Sequence, residues 1–117
     1  MLIDVLRGIP AARDFLKDLS SPPVCSEVSR VEVLRGMRSH ERRATEQLLA
    51  VVDWTPVDSG IGARAGELGR RYRHSHGCIG ATDLIVAATA ERLGLPLATH
   101  NVRHFPMFEG LEPAYRR

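Results

Sequence analysis

Two acidic side chains, Glu32 and Asp83, carry the chemistry this sequence is best equipped to do. They lie about fifty residues apart, yet each opens a helix after a strand: Glu32 follows the β-like run Val24 to Val28, and Asp83 heads the apolar stretch Leu84 to Ala90. In a parallel sheet, helix starts of this kind meet at the carboxyl edge of the strands, where open α/β sheets bind ligands. Two carboxylates brought together repel and take up a proton unless a divalent cation neutralises them. Mg²⁺ or Mn²⁺ held by a few carboxylates and several waters can activate one water and steady the charge on a phosphodiester. The chemistry expected is therefore metal-assisted phosphodiester hydrolysis. A plain structural role stands beside it, because Ser29 precedes Glu32 by the spacing of a capping box. Asp83, likewise, either caps its helix or does chemistry.

The elements that must position these acids follow from pattern. Gly80 to Phe105 reads as a buried helix capped by Thr82 and stopped by Gly94, then a short apolar strand, Leu95 to Thr99, led by Pro96. Thr99, Asn101 and His104 stand at or just past that strand's carboxyl end, on the ligand side of such a sheet. Upstream, Met1 to Gly8 reads as a short helix, and no strand precedes it. Pro10 opens a helix to Leu19 with Phe15 and Leu16 inward. A helix from Val31 to Gly36 follows β-like Val24 to Val28, and an amphipathic helix spans Ser39 to Val52 with Leu48, Leu49 and Val52 on one side. Asp53 to Val57 is a weak strand containing a half-buried Trp54, and Asp58 or Ser59 caps a helix running from Ile61 to about Tyr72. Leu111 begins an edge strand, and Tyr115 packs back on the core.

At 117 residues the chain is one domain, and 44% hydrophobic with 26% charged residues is ordinary for a soluble globular protein. The formal charge is only +2, but fifteen of the sixteen cations are Arg, with Lys17 the exception. Arginine grips phosphate bidentately, so a polyanionic partner is one reading of this bias, and a GC-rich genome is the other. Arg70, Arg71, Arg73, His74 and His76 cluster around Tyr72 before the organising stretch, which suits both a helix carboxyl end and a nucleic-acid contact. Cys25 and Cys78 match neither a zinc nor a redox spacing, no signal peptide is visible, and no apolar run spans a bilayer, so a cytoplasmic protein with free thiols is expected. His74 with His76, and His100 with His104, make weak zinc pairs without cysteines, His100 pointing toward the sheet. A serine-hydrolase elbow, a phosphate-binding Gly loop ending in Lys-Ser or Lys-Thr, and a His-Glu-x-x-His motif are all missing.

The ordered set Glu32-Val-Leu-Arg-Gly36, Ala81-Thr-Asp83-Leu-Ile-Val-Ala-Ala-Thr-Ala90, Gly94-Leu-Pro-Leu-Ala-Thr99 and Asn101-Val-Arg-His-Phe105 resembles the PIN-domain toxins of the VapC type, over nearly the whole chain. The resemblance implies a three-layer α/β/α fold with a parallel central sheet, and residues 1–117 as a single PIN-like domain. It also implies a Mg²⁺- or Mn²⁺-dependent endoribonuclease toxin acting on tRNA or ribosomal RNA, a homodimer, and inhibition by a VapB-type antitoxin. Residue by residue, Glu32 falls on the family's second acidic position and Asp83 on its third; Thr99, Asn101 and His104 occupy the fourth region. An amide and an imidazole there hold metal-bound water or substrate phosphate rather than the ion itself. Arg103 joins the basic cluster as an RNA contact. Leu2-Ile3 to Leu6-Arg7-Gly8 aligns past the family's first acidic position, which would lie upstream of Met1, so the usual first strand is absent from this sequence. Asp4, at the head of the first helix, is the candidate to compensate as a metal ligand.

Three readings stay open on the sequence alone. The first is the active nuclease. The second is a catalytically impaired PIN-like module that binds RNA or antitoxin, and the third is a structural partner that only occupies an antitoxin.

Overall fold

The computed structural model describes residues 2–75 and 79–115. Gly8, at φ 77°, turns the chain after a short helix, α1 (Leu2–Leu6), and Pro10 opens α2 (Pro10–Lys17). Proline suits a first helical position, where a backbone N–H would have no partner within the helix. After Pro22-Pro23 comes strand β1 (Val24–Ser26), two residues shorter than the sequence suggested. The cause is Ser26, whose backbone is extended and whose hydroxyl accepts from the Val28 N–H at 3.2 Å, so that α3 (Glu27–Gly36) starts directly from the strand. This corrects the capping-box expectation. Ser29 lies inside α3, and Glu32 is the sixth residue of the helix, too far along to bond the backbone of its cap.

A 3₁₀ turn (Ser39–Glu41) leads into α4 (Arg42–Val51), which buries Thr45, Leu48 and Leu49. Strand β2 (Asp53–Thr55) then lies parallel to β1, with Val24 opposite Asp53, Cys25 opposite Trp54 and Ser26 opposite Thr55. A parallel pair needs a crossover, and α3 with α4 provides it. Trp54 is half-buried and donates its indole N–H to the Leu49 carbonyl at 2.9 Å. Asp58 caps α5 (Ser59–Tyr72) by accepting from the Ile61 N–H at 2.9 Å. Helix α6 (Ala81–Leu93) follows, with Gly80 at its cap position and Gly94 closing it at φ 63°, the left-handed conformation that glycine adopts without strain. Thr82, expected as the cap, is instead the second helical residue, because the extended backbone ends at Gly80.

The buried side chains fall into two groups. Ile61, Ala65 and Leu68 recur at helical spacing on α5 and pack against Ala87 and Ala88 of α6, with Phe105 completing the cluster. The helices approach closely, since a Cβ placed on Gly69 would lie 3.1 Å from Leu84 Cδ1. The second group joins Leu2 of α1, Val33 of α3, and Leu48, Leu49 and Val52 around α4. A groove of about 1100 Å³ is lined by residues of β1, by Leu16 of α2, by Val86 and Thr89 of α6, and by Leu95 to Thr99. The last segment was expected as a strand. It enters no ladder among the described residues, where the sheet has two strands, and it lines the groove opposite β1 without pairing to it. Leu111 is likewise in irregular chain rather than an edge strand.

No helix among the described residues is long and apolar enough to cross a membrane. Cys25 is a free thiol whose burial pushes its pKa up, so it stays protonated and unreactive near neutrality. Cys78 and His76 lie outside the described residues.

Candidate active site

Helix α6 sets the first acid. Asp83 is its third residue, where the positive end of the helix dipole favours a carboxylate. One carboxylate oxygen stands 2.8 Å from His104 Nδ1. His104 arrives from a 3₁₀ turn, Val102–His104, and the next residue, Phe105, is only 2% exposed within the α5–α6 cluster, so the backbone carrying the imidazole is anchored by packing. With its proton on Nδ1, His104 donates to Asp83 and leaves Nε2 as an acceptor.

Helix α3 sets the second acid. Glu32 Oε2 accepts from Arg35 Nη2 at 3.0 Å, one turn along the same helix. Its other oxygen, Oε1, accepts from the Thr82 hydroxyl at 3.2 Å, across the gap to α6. Thr82 is the residue just before Asp83, so this bond ties α3 to the turn of α6 that carries Asp83. Nearby, Thr99 Oγ1 accepts from the Asn101 backbone N–H at 3.1 Å and bends the chain toward His104. Glu32, Asp83, Thr99, Asn101 and His104 all line the groove.

Asp4 is placed elsewhere. It is 7% exposed, accepts from the Tyr115 hydroxyl at 2.6 Å, and lies 4.0 Å from His100 Nε2. The Tyr115 ring meets His100 edge-on at 4.2 Å and packs near Phe15 at 5.9 Å. This cluster fastens the C-terminal segment to α1, so His100 faces Asp4 rather than the sheet expected for it, and Tyr115 packs here rather than on the core. Asp4 is not among the residues lining the groove.

Among the described residues, no three His, Cys, Asp or Glu side chains gather closely enough to hold a metal ion unaided. Glu32 and Asp83 are the carboxylates that line the groove, and Mg²⁺ takes one or two carboxylates with waters or phosphate oxygens as its remaining ligands. Asp83 and Glu32 are the residues that would hold it.

Arg70 and Arg71 end α5, followed by Arg73 and His74; all four are exposed and none lines the groove. The Arg71 guanidinium sits 5.4 Å from the centre of the Tyr72 ring, a cation–π contact that keeps it along the surface. Arg103, also exposed, neighbours His104 in the 3₁₀ turn. Two residues that touch the site escaped the sequence reading: Arg35, seen only as part of a motif, and Thr82, taken for a cap. The available signal was a hydroxyl directly before the acid on a helix whose preceding glycine could itself be the cap.

The PIN domain matches residues 1–108 of this chain. The chain belongs to the PIN-domain family. This PIN domain is 48% identical to Ribonuclease VapC10 of Mycobacterium tuberculosis over 117 residues, which span 98% of this chain and 88% of that relative. It is 44% identical to Ribonuclease VapC19 of the same organism over 116 residues, spanning 97% of this chain and 93% of the relative. Among solved structures, a toxin–antitoxin complex from Klebsiella pneumoniae contains a chain that matches the fold with a TM-score of 0.82 at 23% identity, covering 99% of this chain and 93% of that one. VapBC-1 from nontypeable Haemophilus influenzae matches with a TM-score of 0.70 at 24% identity, covering 89% of this PIN domain and 84% of that chain. The VapC-type PIN fold implied by the ordered motifs is the fold observed.

Proposed function

We propose that this PIN domain is the ribonuclease toxin of a toxin–antitoxin pair, hydrolysing RNA phosphodiester bonds at the groove rim. The observation that carries the reading is a groove lined by Glu32, Asp83 and His104, in a chain that is 48% identical to a protein named a ribonuclease. Asp83 and Glu32 would hold a divalent ion, Mg²⁺ or Mn²⁺, which would supply activation of a water and relief of the charge on the phosphate. His104, oriented by Asp83, presents its outer nitrogen toward the scissile group, and the Asn101 amide and Thr99 hydroxyl contact the phosphate or its water. Arg70, Arg71, Arg73, His74 and Arg103 follow the RNA backbone as salt-sensitive phosphate contacts. tRNA or ribosomal RNA is the substrate class, with translation the process it stops. A VapB-type antitoxin holds the toxin silent in the cytoplasm, and the toxin works as a homodimer.

A second reading has one observation in its favour: among the described residues no third His, Cys, Asp or Glu joins the two carboxylates. On that reading the protein grips RNA or antitoxin without cutting. One experiment separates the two. Purified protein is incubated with total tRNA and ribosomal RNA in Mg²⁺ or Mn²⁺, with EDTA and with Asp83→Asn as controls. The nuclease reading expects discrete fragments that vanish with EDTA and fall at least about a thousandfold in Asp83→Asn, roughly 4 kcal/mol of transition-state stabilisation. Binding without metal-dependent fragments would establish the second reading instead.

A further inference from the structure

We propose that Thr82 is a positioning residue that holds Glu32 against the turn of α6 carrying Asp83, and that Arg35 pulls the same carboxylate's other oxygen along α3. The inference rests on the reading that Glu32 and Asp83 hold a divalent ion.

Glu32 has three rotatable side-chain torsions, and its side chain is 39% exposed, so its carboxylate is placed largely by the bonds it makes. Its two oxygens are drawn in different directions. Arg35, whose side chain is 75% exposed, draws Oε2 along α3, and this pair of neighbours on one helix surface needs no other part of the fold. Thr82 draws Oε1 across to α6 and toward the neighbouring Asp83. The two donors differ in stiffness. Threonine is β-branched, with few χ1 choices, and Thr82 stands half-buried in the first turn of a helix anchored by Ala87 and Ala88. Arginine is long and solvated, and a surface ion pair of this kind weakens as salt rises. Thr82 is also free of the role its position suggests, since α6 has no side-chain cap. Thr89, further along the same helix, uses its hydroxyl within the helix, donating to the Ile85 carbonyl at 2.7 Å. Thr82 directs its own outward, to an acid on another element.

Removing the Thr82 hydroxyl lets the Arg35 side win, and the carboxylate leaves the rim. Removing Arg35 has the opposite sign. The test is Mn²⁺ binding to the full chain without RNA, followed by calorimetry, in wild type, Thr82→Val, Thr82→Ser and Arg35→Gln, with melting temperatures recorded alongside. Thr82→Val is expected to weaken Mn²⁺ binding about tenfold, the usual effect of removing a group that orients a ligand. Thr82→Ser should restore it to within about twofold, and Arg35→Gln should tighten it by about twofold, as for loss of an exposed ion pair. The proposal is overturned if Thr82→Val binds Mn²⁺ like wild type, if Thr82→Ser is as weak as Thr82→Val, or if Arg35→Gln weakens binding. A wild-type chain that binds no Mn²⁺ would overturn the metal reading itself, a result distinct from a binding wild type whose variants do not differ.

Discussion

Asp83 and Glu32 face one groove from two walls of unlike construction. Asp83 stands on α6, which is locked to α5 by Ile61, Ala65, Leu68, Ala87, Ala88 and Phe105, and its imidazole partner is anchored by that same Phe105. Glu32 stands on α3, where Val33 faces a core but Val31 and Leu34 are 61% and 44% exposed. Its position is fixed by side-chain bonds to Thr82 and Arg35 rather than by packing. One acid is therefore placed by a core and the other by a tether. A groove built this way keeps one carboxylate rigid and leaves the other freer to shift.

The largest effect should come from loosening the packed wall. Leu68→Ala removes a side chain that is 1% exposed and leaves a cavity under α6, at a cost of about 3 kcal/mol. For a domain of this size that is a fall in melting temperature of roughly 10 °C, read by calorimetry or circular dichroism. A drop of only a degree or two would mean that the α5–α6 wall does not hold α6 in place. On the tethered wall the loss should appear in activity alone. Glu32→Gln keeps the shape of the side chain and removes its charge, so RNA cleavage should fall about a hundredfold, near 2.7 kcal/mol, while the melting temperature stays within about a degree of wild type. Equal losses of stability in the two variants would erase the contrast between the walls.

The contrast also tracks what could be read from the sequence. The α5–α6 wall was legible because its signals are local: Asp58 as a cap, Gly94 as a left-handed stop, and an apolar helix between Gly80 and Gly94. Asp83 was legible as an acid in the first turn of that apolar helix. The placement of Glu32 was misread. Its capping-box spacing from Ser29 was a coincidence, and Ser26, buried at the end of β1, had already taken the cap. The strand expected at Leu95 to Thr99 failed for a related reason, because apolar content does not say whether a neighbour is present to complete a ladder. Asp4 was weighed as a ligand on position alone, and the Tyr115 hydroxyl that occupies it comes from 111 residues away. Local caps can be seen in a sequence, whereas partners brought by tertiary packing cannot.

The smallest effect expected is also the one that separates tether from scaffold most cleanly. Ser26→Ala removes the hydroxyl that accepts from Val28 and frays the first turn of α3, which should lower stability by about 1 kcal/mol in a urea titration without changing its slope. Glu32 lies beyond that first turn and keeps its bonds to Thr82 and Arg35, so cleavage should change by less than about threefold. If cleavage instead fell more than about tenfold at full occupancy of the folded state, the junction of β1 and α3 would be what aims Glu32. The second acid would then be placed by the scaffold, as the first one is.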